Sequence, residues 1–159
     1  MTPQTVSVAV ERPDRPDVLA LLDEHLSDMF ATSPAESVHA LDHGALGRAD
    51  ITFYTARDGD GALLGCGALA ERGPVDGEIK SMRTTAAARG RGVASTILTA
   101  ILTAARERGY SEVRLETGAE DYFAAARRLY ARHGFTECPP FAPYVEDPHS
   151  VFMRLALSD

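Results

Sequence analysis

Between residues 93 and 105 the apolar side chains recur on one face: Val93, Ala94, Ile97, Leu98, Ile101, Leu102 and Ala105. These steps draw a single stripe on an α-helix about four turns long, a stripe that must be buried against a partner. Arg106 and Arg108 bring positive charge to its last turn and Gly109 ends it, the usual chemistry of a helix C-terminus. Just before the stripe stands Arg89-Gly90-Arg91-Gly92, and before that a strand-like run, Glu78–Thr84. A glycine turn at a strand-to-helix junction leaves the first helical N–H groups unpaired and lets a ligand approach the backbone, so its natural partner is an anion. No GK[ST] ending follows, Val93-Ala94-Ser95 replaces the last part of GxGxxG, and the approach loop Thr85–Ala88 is longer than a tight dinucleotide turn. Nucleoside-triphosphate and dinucleotide motifs are therefore excluded. A glycine loop with two solvated arginines remains the alternative.

Around this junction the pattern alternates between strands and helices. Val6–Val10 reads as a strand, and Asp17–Phe30 as a helix with apolar Val18, Leu21, Leu22, Leu26, Met29 and Phe30. A short helical piece is expected after Ser33-Pro34, with Ser33 as its cap. Ile51–Ala56 and Ala62–Leu69 flank Asp58-Gly59-Asp60-Gly61 as an antiparallel hairpin. Val113 and Leu115 mark a strand, Phe123–His133 a helix closed by Gly134, Phe135 a short strand, and Val151–Leu157 a last strand with Val151, Met153, Leu155 and Leu157 on one face. The order β-α-α-β-β-β-α-β-α-β-β predicts a mixed sheet with helices packed on it.

Several functions drop out. The 16 basic residues are outnumbered by 23 acidic ones, for a net charge of −7, which argues against a general nucleic-acid binder. No apolar run reaches the roughly 20 residues of a membrane span, and the N-terminus lacks a signal-peptide pattern. A cytoplasmic protein without membrane partners is expected. No metal is expected either: His39 and His43 lack the glutamate of HExxH, and Leu69 stands where a calcium loop beginning at Asp58 needs its twelfth ligand. Cys66 lies in an apolar run and neither cysteine belongs to a CxxC pair.

Two segments carry a resemblance. Arg89-x-x-Gly92-x-Ala94 resembles the (Q/R)xxGx(G/A) signature of the GNAT acetyltransferase superfamily, and Ala126-Arg127-Arg128-Leu129-Tyr130-Ala131-Arg132-His133-Gly134-Phe135 resembles its A-x-x-L-Y-x-x-x-G-F segment. One helix and one strand separate them, as that family requires, and Glu78–Thr84 looks like the family's fourth strand. The resemblance spans residues 6–157. It implies residues 1–159 as a single domain of the α/β (α+β) GNAT fold. That fold has a mixed, mostly antiparallel sheet of about seven strands, splayed at the cofactor site, with about four helices.

The resemblance further implies acetyl-CoA as co-substrate. Met82, Arg83 and Thr84 would meet its acetyl and pantetheine portion through the backbone. Arg89, Gly90, Arg91, Gly92, Val93, Ala94 and Ser95 would meet its pyrophosphate. Phe123 stands where many members carry a pantetheine-binding asparagine. Glu120 or Asp121 could substitute, or that contact is lost. Tyr130 matches the tyrosine that protonates the leaving thiolate, against a purely structural reading as a core aromatic. Glu78, eleven positions before Arg89, matches a general base; a solvated carboxylate or an ion pair with Lys80 is the competing reading, and Glu116 is the second candidate base.

On the acceptor side the resemblance points to Ser37, His39, Glu116 and Tyr144, though Ser37 as a cap, His39 as an exposed residue and Tyr144 as a loop anchor are equally open. A pocket of His39, Lys80, Arg83, Glu78 and Glu116 favours a small polar primary amine, with a carboxylate for Lys80 or Arg83 to hold. The expected reaction is direct transfer in a ternary complex. A protein amine as acceptor, a non-catalytic acetyl-CoA sensor, or an unrelated anion-binding domain are the other readings. Monomer and homodimer both stay open.

Overall fold

The computed structural model describes residues 5–34, 48–141 and 144–157. In chain order its elements are β1 (Ser7–Val10), α1 (Pro16–Thr32), β2 (Ile51–Arg57), β3 (Leu63–Glu71), β4 (Asp76–Thr84), α2 (Val93–Glu107), β5 (Glu112–Gly118), α3 (Ala124–Arg132), β6 (Thr136–Glu137) and β7 (Ser150–Ala156). Short 3₁₀ turns occupy Ala86–Ala88 and Asp121–Phe123. The strands form one seven-stranded sheet in the order β1-β2-β3-β4-β5-β7-β6. Every pairing is antiparallel except β4 with β5. This is the mixed, mostly antiparallel α+β architecture expected, with three α-helices among the described residues.

Each face of the sheet receives helices because the strand side chains alternate. Phe53, Cys66, Ala68 and Ala70 pack with Val18, Leu21 and Leu22 of α1. Tyr54, Ala56, Leu69 and Ile79 belong to the larger core, where α2 inserts Val93, Ile97, Leu98, Ile101, Leu102 and Ala105. The stripe read from sequence is thus the buried face of α2. The last strand also turns Met153 inward, with Val151 and Leu155 packed beside it. Its opposite face is apolar too, since Phe152 stacks edge-on with Phe141 at 5.8 Å.

Some boundaries differ from the sequence reading. Phe30 is half exposed (52%) rather than part of the α1 core. Ser33 closes α1, its N–H donating to the Met29 carbonyl at 3.0 Å, while the helical piece expected beyond Pro34 lies outside the described residues. The helix expected from Phe123 starts one residue later, after a 3₁₀ turn that holds Asp121–Phe123.

The sheet opens where β4 meets β5. Their parallel pairing runs only from Asp76 with Glu112 to Ile79 with Leu115. Beyond Ile79, Ser81 takes a positive φ of 58°, and the β3–β4 register shifts between Cys66 and Ala68. A left-handed serine inside a strand turns the chain out of the regular pleat. From Lys80 onward β4 therefore diverges from β5 and leaves a gap between them.

Candidate active site

Two cavities meet in that gap. The outer cleft, about 550 Å³, runs between the end of β4, the Arg89–Ser95 segment and α3. The inner pocket, about 90 Å³, lies between β4, β5, α1 and Tyr144. His25, Met82, Phe123, Ala126 and Tyr130 border both, so they form the waist where the cavities join.

The outer cleft gathers the glycine turn and the N-terminus of α2. Gly90 and Gly92 both have φ of 77°, and a Cβ at either would meet nothing within 4 Å. Glycine is needed there for the left-handed backbone, not to avoid a neighbour. Gly92 is the N-cap of α2, so the N–H groups of the first turn face an open cleft at the positive end of the helix. Met82, Arg83, Thr84, Arg89, Gly90, Gly92, Val93, Ala94 and Ser95 all line this cleft. Arg91 does not: it is exposed and donates to the Ala87 carbonyl at 3.2 Å. Ser95 hydrogen-bonds His133 Nε2 at 2.9 Å and thereby ties α2 to the end of α3.

Arg83 occupies a place the sequence did not suggest. Its side chain lies on the outer cleft, where Nη2 donates to Glu24 and Asp28 of α1, each at 2.5 Å, and Nη1 to Tyr122 at 2.8 Å. The guanidinium is buried and its charge satisfied, so it is not a free anchor for an acceptor carboxylate. These bonds draw α1, β4 and the Asp121–Phe123 turn together around the cleft.

At the waist, Tyr130 is buried and packs edge-on against Phe135 at 5.7 Å. Burial, and then the charge of Glu116, raise its phenol above the ordinary value. Phe123 stands against Gly118, where a Cβ would come within 2.0 Å of the ring; only glycine lets the aromatic ring reach the waist. His25 was missed by sequence reasoning. Burial, followed by the Arg83 cation, lowers its pKa to about 4, leaving the imidazole neutral at pH 7. Its spacing from Leu22 and Met29 on one helix face was the available signal.

Inside the inner pocket the two carboxylates differ. Glu78 is 1% exposed. Its Oε2 accepts from Lys80 at 3.0 Å and from the Tyr144 hydroxyl at 2.5 Å, and Arg72 lies 3.5 Å from Oε1. Lys80 also donates to Tyr144 at 2.7 Å and sits 5.4 Å from the centre of its ring. Glu116 has no ion pair within 4 Å among the described residues. Burial raises its pKa to about 7, against the opposing pull of Ser150 and Lys80. Ser37 and His39 lie outside the described residues. Neither Cys66 nor Cys138 lines either cavity, and burial pushes the Cys66 thiol up to about 12.

A splayed β4–β5 pair thus lies beside the N-terminus of α2, with a tyrosine where two cavities meet. The Acetyltransferase (GNAT) family matches residues 18–135. An uncharacterized N-acetyltransferase of Bacillus subtilis (strain 168), YsnE, is 50% identical over 140 residues, covering 88% of this chain and 92% of that protein. An IAA acetyltransferase of Azospirillum brasilense is 40% identical over 158 residues, 96% of this chain and 98% of its own length. A solved structure from Klebsiella pneumoniae, assigned to the acyl-CoA N-acyltransferases, superposes with a TM-score of 0.78 at 28% identity, covering 96% of this chain and 98% of that one. The chain belongs to the GNAT acetyltransferase family, whose enzymes use acetyl-CoA to acetylate an acceptor. No helix among the described residues is long and apolar enough to cross a membrane.

Proposed function

We propose that the protein transfers the acetyl group of acetyl-CoA directly to the primary amine of a small polar molecule, with Tyr130 as proton donor and Glu116 as proton acceptor. The observation that carries this reading is the waist: Tyr130 borders both cavities and Glu116 faces it from the inner one. The residues present fit the co-substrate. The left-handed Gly90 and Gly92, the open first turn of α2, and Arg89 and Arg132 on the same cleft suit a pyrophosphate and a further phosphate. When bound, acetyl-CoA supplies an activated acyl group.

The residues would then act as follows. An amine is nucleophilic only without its extra proton, so a base must take that proton. Glu116 is matched to this at neutral pH. Glu78 suits it less, because its Oε2 accepts from Lys80 and Tyr144 and Arg72 lies 3.5 Å from its Oε1. The N–C bond forms as the C–S bond breaks, the phenol of Tyr130 protonates the departing sulfur, and the proton that the nitrogen sheds on becoming an amide restores the phenol. Burial keeps that phenol protonated across the working pH range. The two cysteines lie off both cavities, which favours direct transfer over an acyl-enzyme.

Tyr130→Phe tests the assignment. Thiol release with an amine panel is expected to fall about 100-fold or more, while the acetyl-CoA Kd from calorimetry stays unchanged. Undiminished turnover removes Tyr130 from the chemistry. Tight acetyl-CoA binding by the wild type without turnover on any small amine would favour the sensor reading, or a protein amine as acceptor.

A further inference from the structure

We infer that the acceptor is an amine carrying no carboxylate or other anionic group, so that amines are acetylated in preference to the amino acids they correspond to. This deepens the proposed function and rests on it.

The inference follows from which charges are already matched. Lys80 is the sole lysine or arginine lining the inner pocket among the described residues. Its ammonium is opposed by buried Glu78 and hydrogen-bonded to Tyr144. Arg72, the other cation near Glu78, is directed at that same carboxylate. Arg83 faces the outer cleft and is held by Glu24 and Asp28. Positions 1–4, 35–47, 142–143 and 158–159 contain no lysine or arginine.

An acceptor carboxylate entering the pocket would thus be desolvated beside Glu78 and Glu116, where the one lining lysine among the described residues is already held by Glu78 and Tyr144. A buried charge left unpaired is strongly disfavoured. An ammonium fares differently. It meets Glu116, a carboxylate with no ion pair of its own among the described residues, and gives up its proton there before attack. The remaining wall, with Met29, Tyr144 and the waist aromatics, suits a neutral carbon chain or ring.

Matched pairs decide the matter: ethanolamine against serine, tyramine against tyrosine, histamine against histidine, each measured as kcat/KM by thiol release. The amine of each pair is expected to exceed its amino acid by about tenfold or more, as like-charge juxtaposition demands. Amino acids that equal or surpass the amines would overturn the inference while leaving the acetyltransferase reading intact. No thiol release from any member, with acetyl-CoA still bound, would overturn the small-amine acceptor and this inference with it, in favour of the sensor or protein-amine readings. Glu78→Gln gives an independent readout, since it leaves Lys80 without its counter-charge. The preference for the amine should then shrink several-fold, which simple loss of packing would not produce. If that variant does not fold, the wild-type ratios decide alone.

Discussion

Glu116 and Glu78 are the same side chain on neighbouring strands, yet their surroundings give them opposite work. Glu78 is held by Lys80, Tyr144 and Arg72. Glu116 is desolvated with no ion pair among the described residues, which raises its pKa to about 7. If it is the base, kcat should rise with pH to a plateau above about 7, and Glu116→Gln should lose that rising limb with a drop of about 100-fold or more at pH 8. A retained limb would assign the base elsewhere. The same residue has a cost for folding. Its folded pKa is raised above 4.5, so its contribution to stability is full below about pH 4.5 and is lost as pH rises through about 7. The glutamine variant should therefore melt higher than the wild type at pH 8 and lose that advantage at pH 4. Neither distinction was legible in the sequence. The resemblance pointed to Glu78 as a base, with an ion pair to Lys80 as the competing reading; the Tyr144 contact, from a loop 66 residues away, was not legible.

Elements were read better than contacts. The α2 stripe was plain because a helix of 15 residues repeats its period often enough to be unmistakable. The turn before it was legible as a turn, since Gly90 and Gly92 do take the left-handed backbone at the strand-helix junction. What stayed hidden were features set by distant register: the left-handed Ser81, the end of β4–β5 pairing at Ile79, and the seizure of Arg83 by α1. Phe123 was recognised as a departure from the family's asparagine. That Gly118 makes room for its ring was not, because the two meet only through the fold. At this scale Gly92→Ala is informative. The added Cβ meets no atom, so its effect comes from backbone strain alone, about 1–2 kcal/mol. The KM for acetyl-CoA is expected to rise about fivefold to twentyfold with kcat little changed. An unaltered KM would mean that the turn does not bind the co-substrate.

At the scale of the whole molecule, the far end of the sheet is held by charge. Arg57 on β2 binds Glu11 Oε2 at 2.8 Å and Asp17 Oδ2 at 2.7 Å, joining the segment after β1 to the first turn of α1. The Arg57 hydrogen bond, with help from Thr55, lowers the Glu11 pKa to about 2. A depressed carboxylate stabilises the fold above its unfolded pKa and loses that effect as pH falls through the folded one. Stability should therefore decline between about pH 4.5 and 2. Glu11→Gln should lower the Tm at pH 7 by roughly 3–10 °C, and the two proteins should converge near pH 2. Curves that stay parallel across this range would show that the cluster is not linked to folding.

The waist between the two cavities has a further meaning for chemical economy. A thioester held there is exposed to whatever occupies the small inner chamber, and water is always available to occupy it. An acceptor that fills the chamber expels the competitor that would otherwise waste the acyl group by hydrolysis. If the inner chamber receives the acceptor as proposed, selectivity and thrift are one property: the volume that excludes misfit acceptors also decides whether the acetyl group is delivered or lost to water.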